Sequence, residues 1–113
     1  MNRRGEPAEN LAAAFLEREG LKILERNYRC RFGEIDLVAA SGGTLVFVEV
    51  RARESEAFGG AAASITAAKR RRLVAAARHY LARHRTRCAC RFDVVLVRGR
   101  ERRIEWLSDA FGE

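Results

Sequence analysis

The chain has 113 residues, of which 48% are hydrophobic and 33% charged, and it carries a net charge of +7. This length predicts one domain over residues 1–113, and the hydrophobic content excludes a disordered chain. The charged start leads into no apolar signal segment and no stretch is long enough to span a membrane, so we expect a cytoplasmic protein. The positive excess favours a polyanionic partner, above all a nucleic acid.

The first half of the chain predicts one helix and three strands. An early proline and an apolar face predict a helix over residues 7–19, which Gly20 ends. Loose alternation of apolar and polar residues predicts a strand over residues 21–29. Strands over residues 34–40 and 44–53 follow, and the Ser-Gly-Gly sequence between them predicts a hairpin turn.

The second half predicts a helix and two more strands. A loop through residues 58–60 leads into a long helix over residues 64–84. A largely apolar strand over residues 91–97 and a last strand around residues 104–106 complete the chain. The order α-β-β-β-α-β-β predicts an α/β fold in which helices pack against one mixed central sheet.

The three cysteines do not indicate a disulfide framework. An odd number of thiols without a secretory signal is typical of a reduced cytosolic protein. Cys88 and Cys90 follow His79 and His84, but this spacing matches none of the usual structural zinc patterns. We therefore interpret these two cysteines and Cys30 as small apolar residues.

Two carboxylates, Asp36 and Glu49, stand inside the apolar strands of the predicted hairpin. Opposite residues of an antiparallel pair share one face, with Cβ atoms about 5 Å apart. One face becomes wholly apolar if Ile35 pairs with Val50, Leu37 with Val48, and Ala39 with Val46. That register places Asp36 opposite Glu49 on the other face, with Arg51 beside them. A slip of one residue would scatter the apolar side chains over both faces.

Opposed carboxylates repel each other, and burial makes their charges costly. A shared divalent cation is the simplest remedy, and Mg²⁺ and Mn²⁺ prefer oxygen ligands. We therefore expect Asp36 and Glu49 to be metal ligands, with the carbonyl of Val50 as a further donor. The alternative places both acids at a solvent-exposed strand end, where they pair with Arg51 and Arg53.

Motifs spread over most of the chain carry a resemblance to a known family. They are Gly5 and Glu9, Arg26-Asn27-Tyr28-Arg29, Gly33-Glu34-Ile35-Asp36-Leu37, Phe47-Val48-Glu49-Val50-Arg51-Ala52-Arg53, Phe58-Gly59, Lys69, Arg91-Phe92-Asp93-Val94-Val95, and Ala110-Phe111. In this order they resemble the bacterial YraN-type family, which is considered distantly similar to archaeal Holliday-junction resolvases. The resemblance implies a restriction-endonuclease-like fold of the PD-(D/E)xK superfamily, with an αβββαβ core.

The resemblance also implies an activity and a catalytic site. The expected function is a Mg²⁺- or Mn²⁺-dependent, structure-selective DNA endonuclease whose site contains Glu9, Asp36, Glu49 and Arg51. Nucleases of this fold usually carry lysine at the position of Arg51. Arginine stays protonated, so it cannot act as a base, although it can stabilise charge on a phosphate. The alternative function is a non-catalytic nucleic-acid-binding module that retains the nuclease fold.

Several basic residues are candidates for contacting the phosphates of a branched DNA. They are Arg29, Arg53, Lys69 and Arg70. The helical phase of Lys69 directs it toward the acidic pair, whereas the alternative for the whole basic run is a solvated helical face. Tyr28 either stacks on an unpaired base or packs on the fold. Because junction cutting needs two active sites, a homodimer would suit this function.

Overall fold

The computed structural model describes residues 7–53 and 65–112. They form α1 (Ala8–Arg18), β1 (Lys22–Cys30), β2 (Gly33–Ser41), β3 (Thr44–Arg53), α2 (Ala67–Arg83), β4 (Ala89–Arg98) and β5 (Arg103–Phe111). The predicted order of elements is confirmed, and the predicted bounds differ from these by only a few residues. The predicted loop through residues 58–60 and the family motif at Gly5 lie outside the described residues.

The strands form one mixed sheet in the order β1-β2-β3-β4-β5. Strands β3 and β4 are parallel, and the three other neighbouring pairs are antiparallel. A parallel pair needs a long connection, and the segment that contains α2 provides it. The result is the predicted α/β architecture, with an αβββαβ arrangement consistent with a restriction-endonuclease-like core.

Both faces of the sheet are buried, each beneath one helix. The α1-side cluster comprises Ala12, Ala13, Leu16, Leu21, Leu37, Ala39, Val46, Val48 and Val95. The α2-side cluster includes Tyr28, Ile35, Val38, Phe47, Leu73, Ala76, Ala77, Tyr80 and Phe92. This double coverage explains why five consecutive residues of β3 are buried. Neither helix in the described part of the chain has the length and apolarity needed to cross a membrane.

The predicted β2–β3 register is confirmed at two of its three pairs. Leu37 pairs with Val48 and Ala39 with Val46, but the pairing of the two strands ends at Leu37. Ile35 departs from the prediction, because it packs in the α2-side cluster while Leu37 packs on the α1 side. On the neighbouring strand β1, Asn27 has a φ of 54°, which interrupts regular strand geometry opposite this point. The prediction of one wholly apolar face therefore fails at the residue that precedes Asp36.

A fully buried carboxylate, Asp93, connects β4 to β5. Its two oxygens accept hydrogen bonds from Nε and Nη2 of Arg91 at 3.0 and 3.3 Å. Nε1 of Trp106 and the backbone N–H of Asp109 each donate another at 2.9 Å. The β4–β5 register shifts between Phe92 and Val94, so Asp93 supplies acceptors where the regular ladder is broken. We interpret Asp93 as a structural residue.

The side chain of Tyr28 packs on the fold, which decides between its two predicted roles. It is 2% exposed, and its ring contacts that of Tyr80 edge-on at a centroid distance of 5.1 Å. Among the cysteines, Cys30 packs against the α2-side cluster, whereas Cys88 and Cys90 are exposed. Cys30 therefore packs as a small apolar residue, as predicted, whereas Cys88 and Cys90 do not pack in the core.

Candidate functional site

The two predicted acids meet at the end of the sheet where the pairing of β2 with β3 stops. The backbone N–H of Val50 donates a hydrogen bond of 2.8 Å to Oδ2 of Asp36, in place of a ladder bond between the strands. The carboxyl groups of Asp36 and Glu49 are close enough to share a hydrogen bond. Glu49 is only 3% exposed, although it carries a charge. The predicted convergence of the two side chains is therefore observed.

The electrostatic environment of Asp36 favours its protonated form. Burial and then the negative charge of Glu49 raise the pKa of Asp36 from 3.8 to about 7. The hydrogen bond with Glu49 and the charge of Glu9 act in the same direction, and the Val50 N–H opposes them. Burial is the largest cause of this shift in the pKa of Asp36, and the cations Lys69 and Arg51 form their ion pairs with Glu49.

We predict that Asp36 makes the metal-free protein less stable as the pH rises. Its pKa is 3.8 in the unfolded reference and about 7 in the fold, so between these values the folded protein retains a proton that the unfolded chain releases. The contribution to stability is complete below about pH 4 and disappears by about pH 7, with a slope of up to about 1.4 kcal/mol per pH unit.

Urea unfolding in EDTA at a series of pH values, compared between the wild type and Asp36→Asn, isolates this contribution. The Asn variant should lack the decline and become the more stable protein near neutral pH. Parallel stability curves for the two proteins would contradict the prediction.

Two cations from different elements contact the buried acid Glu49. Nζ of Lys69 on α2 lies 2.7 Å from Oε2 of Glu49, and Nη1 of Arg51 lies 3.9 Å from the same oxygen. The side chain of Lys69 is 35% exposed, so it reaches from the solvent edge to the buried carboxylate. Glu49 is therefore paired without a metal, and its nearest cation comes from the helix.

The helix start places Lys69 at this position. Thr66 is the N-cap residue of α2, and its hydroxyl accepts a hydrogen bond of 3.1 Å from the backbone N–H of Lys69. This cap fixes the phase of the first helical turn. Arg72, three residues later, falls on the same side of the helix.

These residues line one cleft of about 300 Å³. Its walls are formed by Gly33, Glu34, Asp36, Glu49, Val50, Arg51, Lys69, Arg72 and Leu73. Gly33 has a φ of +151°, a conformation that other residues rarely adopt, while a Cβ there would lie in ordinary contact with Cβ of Arg72 at 3.4 Å. The cleft thus combines an acidic pair with cations on its rim.

Arg72 is a cleft residue that the sequence analysis did not single out, since it chose Arg70 from the same basic run. Arg70 faces another way, and its guanidinium lies 5.7 Å from the ring centroid of Phe111 on β5. Residues three apart in a helix lie on the same side, so the spacing between Lys69 and Arg72 indicates that Arg72, and not Arg70, shares the side of Lys69.

The remaining predicted site residues, Glu9, Arg29 and Arg53, do not line the cleft. Glu9 is half-buried on α1 and acts on Asp36 through its charge. Within residues 7–53 and 65–112, no three His, Cys, Asp or Glu side chains form a metal-binding group, so Glu9 does not complete one with Asp36 and Glu49. Nε of Arg29 pairs with Oε2 of Glu34 at 3.1 Å, beside the cleft. Arg53 is exposed at the end of β3.

The donor set fits a hard divalent cation. Asp36 and Glu49 offer carboxylate oxygens at one point, and protein sites for Mg²⁺ typically use one or two carboxylates together with water and phosphate. Burial and the charge of Glu49 raise the pKa of Asp36, and a bound cation would offset both by favouring the ionised carboxylate. These two residues would hold the ion.

Comparison with known proteins places this cleft in a family. The chain matches the Uncharacterised protein family UPF0102 over residues 8–97, a span that contains every cleft residue. It is 60% identical over 111 residues to a UPF0102 protein of Nitrosomonas europaea, covering 97% of this chain and 94% of that protein.

Other relatives show the same likeness over nearly the whole chain. A UPF0102 protein of Nitrosospira multiformis is 56% identical over 109 residues, covering 96% of this chain and 92% of that protein. One from Cupriavidus taiwanensis is 60% identical over 109 residues, covering 96% of this chain and 82% of that protein. Their names state a family and no reaction, so the function has to be inferred from the cleft.

Proposed function

The chain belongs to the UPF0102, or YraN, family, and we propose that it is a metal-dependent endonuclease that cuts branched DNA. In this proposal it is a member of the restriction-endonuclease-like superfamily with a distant similarity to archaeal Holliday-junction resolvases. The observation that carries the proposal is the convergence of Asp36 and Glu49 with Lys69 and Arg51 in one cleft. Two acids with adjacent cations suit the hydrolysis of a phosphodiester, whose transition state gathers negative charge.

In the proposed reaction, Asp36 and Glu49 would hold Mg²⁺ or Mn²⁺, which would supply Lewis acidity for the hydrolysis of the phosphodiester. The Val50 N–H orients the carboxylate of Asp36. Arg51 stays protonated and stabilises negative charge on the phosphate oxygens. Glu9 adds negative charge near Asp36 from α1 and so favours a cation there.

Lys69 stands beside the buried acid Glu49, whereas nucleases of the restriction-endonuclease-like fold usually carry their lysine at the position of Arg51. Its Nζ is closer to Glu49 than is the guanidinium of Arg51, at 2.7 against 3.9 Å. We infer that α2 supplies the lysine that β3 lacks. With Glu49 engaged by a metal, Lys69 would donate to a phosphate oxygen or to the attacking water.

Lys69→Met should lower the cleavage rate about a hundredfold, the effect typical of removing one donor to a developing oxyanion. Metal binding should persist, because neither carboxylate is altered. Single-turnover cleavage measures the first effect, and stabilisation by Mn²⁺ measures the second. Arg70→Met is the matched control, since Arg70 faces Phe111 rather than the cleft. Equal rates for the two variants would contradict the role of Lys69.

The proposed activity is tested by incubating the protein with linear, single-stranded, flapped and four-way DNA in Mg²⁺ or Mn²⁺. We expect cleavage of the branched substrates, and no cleavage by Asp36→Asn prepared in parallel. Cleavage that persists in the Asn variant would reveal a contaminating nuclease. Failure of the wild type on every substrate with both metals would overturn the proposal.

The second candidate function is a binding module that keeps the fold without efficient chemistry. The ion pair between Glu49 and Lys69 favours it, because this pair balances the buried acid without a metal. Thermal unfolding with increasing Mn²⁺ separates the two functions. A metal at a hundred times its dissociation constant adds about 2.7 kcal/mol of stability, and Asp36→Asn should abolish this gain. Absence of any metal-dependent stabilisation would favour the binding module.

We predict that substitutions of Arg72, which lines the cleft, and of Arg70, which does not, change the salt dependence of DNA binding differently. Each phosphate contact on duplex DNA contributes about −0.9 to the slope of log K against log salt. Arg72→Gln should therefore reduce the steepness of this slope by about 0.9, whereas Arg70→Gln should leave it nearly unchanged. Fluorescence anisotropy over a range of KCl concentrations provides the slopes. If both substitutions reduce the slope equally, the cleft is not the phosphate-binding surface.

A further inference from the structure

The tip of the β1–β2 hairpin carries an exposed aromatic ring next to the acidic cleft. Phe32 is 40% exposed, and only Leu24, among the residues that the structure describes, is another large hydrophobic side chain with comparable exposure. The residue that follows Phe32 is Gly33, which lines the cleft together with Asp36. Phe32 therefore directly precedes a cleft residue in the chain, and its ring contacts α2 at His79, two helical turns after the cleft residue Arg72.

The ring of Phe32 is held in place by its neighbours. It contacts the ring of His79 on α2 at a centroid distance of 6.0 Å and an interplanar angle of 60°. His79 is itself tied to the fold, because its Nδ1 shares a hydrogen bond with the hydroxyl of the buried Tyr28. An exposed aromatic side chain that is braced in this way loses little conformational entropy when a flat partner stacks on it.

Arginine residues lie on and beside the hairpin that carries this ring, although Arg29 among them is paired with Glu34. The guanidinium of Arg31 lies 4.9 Å from the Phe32 centroid. Arg29 precedes the hairpin tip on β1, and Arg72 stands against Gly33 on the other side. An aromatic face among cations is the combination with which proteins bind single-stranded nucleic acid, since cations contact the phosphates while the ring accepts a base.

We propose that Phe32 is a stacking platform for an unpaired nucleobase of DNA, held beside the acidic cleft. The inference rests on the proposed function and names the feature of the substrate that is recognised. A base can stack on Phe32 only if it has left the double helix, as bases do at a flap, a gap or a strand exchange point. The guanidinium of Arg31, which lies over the ring in the free protein, is displaced by a base that stacks on that face and then contacts a phosphate of the same nucleotide. Recognition of an unpaired base beside the cleft would direct cleavage to branched DNA.

Equilibrium binding in EDTA tests the platform without any cleavage. The probes are a short single-stranded oligonucleotide and a blunt duplex of the same sequence. Loss of one base–aromatic stack typically weakens binding about five- to a hundredfold, so Phe32→Ala should weaken single-strand binding by that factor. Duplex affinity should change by less than about threefold, because a paired base cannot reach the ring.

Three further variants define what the ring contributes. Phe32→Tyr keeps an aromatic face and should bind like the wild type. Phe32→Leu keeps apolar bulk without a π-face and should behave like the alanine variant, which also guards against a folding defect in the latter. Leu24→Ala is the matched control, because Leu24 is 43% exposed on the same hairpin but near its other end.

A base analogue gives a direct readout. An oligonucleotide containing 2-aminopurine should lose fluorescence on binding the wild type, since stacking quenches this base, and should keep it on binding Phe32→Leu. Equal losses of affinity for single strand and duplex, or wild-type binding by Phe32→Leu, would overturn the platform. These binding assays do not require cleavage. If the protein cuts no DNA, the endonuclease proposal fails, and the assays still test the role of Phe32.

Discussion

Replacement of Asp93 by alanine should lower the free energy of unfolding by about 3–5 kcal/mol, the typical cost of breaking a buried ion pair. The substitution would leave Arg91, the indole N–H of Trp106 and the backbone N–H of Asp109 without their acceptor. Urea unfolding followed by circular dichroism measures the loss. Metal binding at the cleft should persist under conditions in which the variant is folded, because Asp93 does not line it.

Glu17→Ala is the control for removing a negative charge, because Glu17 is exposed on α1. Surface substitutions of this kind usually change stability by no more than about 0.5 kcal/mol. A loss below about 1 kcal/mol for Asp93→Ala would mean that Asp93 is not the residue that holds β5 against β4.

Asp36→Asn should abolish cleavage, with a loss of at least about a thousandfold, while DNA affinity remains or improves. The carboxylate of Asp36 is one of two proposed metal ligands, and a metal typically supplies several kcal/mol of transition-state stabilisation. In the metal-free protein above about pH 7, where Asp36 is ionised, the same change removes a negative charge near the bound phosphates, which lowers repulsion. The amide oxygen can still accept the hydrogen bond from the Val50 N–H, so the fold should be retained.

Glu34→Gln is the matched control for Asp36→Asn. Glu34 lines the same cleft, but it pairs with Arg29 at its exposed rim. If charge repulsion were the whole effect of Asp36, both substitutions would change DNA affinity and cleavage alike. Cleavage retained by Glu34→Gln and lost by Asp36→Asn separates metal binding from general electrostatics. Cleavage retained by both would remove Asp36 from the site.

The sequence by itself determined the elements and the meeting of the two acids. Periodicity of apolar residues is a local property, and it predicted a helix over residues 7–19 where α1 covers Ala8–Arg18. The hairpin register followed from the same pattern, because a slip by one residue would expose apolar side chains. That register predicts the meeting of Asp36 and Glu49, which the structure shows although the pairing of β2 with β3 ends at Leu37.

The tertiary structure decided which face each side chain occupies once a strand becomes irregular. Ile35 packs beneath α2 while Leu37 packs beneath α1, although regular alternation places both on one face. Asn27, at a φ of 54°, lies opposite this change. Such a backbone conformation depends on the neighbouring strands and on α1, where Oδ1 of Asn10 accepts a hydrogen bond of 2.6 Å from Arg26. No window of local sequence contains those contacts.

Among the cations of the cleft, Lys69 was predicted from its helical phase to face the acidic pair, whereas Arg72 was not predicted. Lys69 is separated from Glu49 by twenty residues, and its contact with the acid depends on how α2 lies across the sheet. The same orientation turns Arg70 toward Phe111 and brings Arg72 into the cleft. The sequence shows which residues share one side of a helix. Which part of the sheet that side faces is set by the burial of Leu73, Ala76 and Ala77. The acids and Lys69 of this site were therefore predicted from the sequence, whereas the contacts between them and the place of Arg72 depend on the fold.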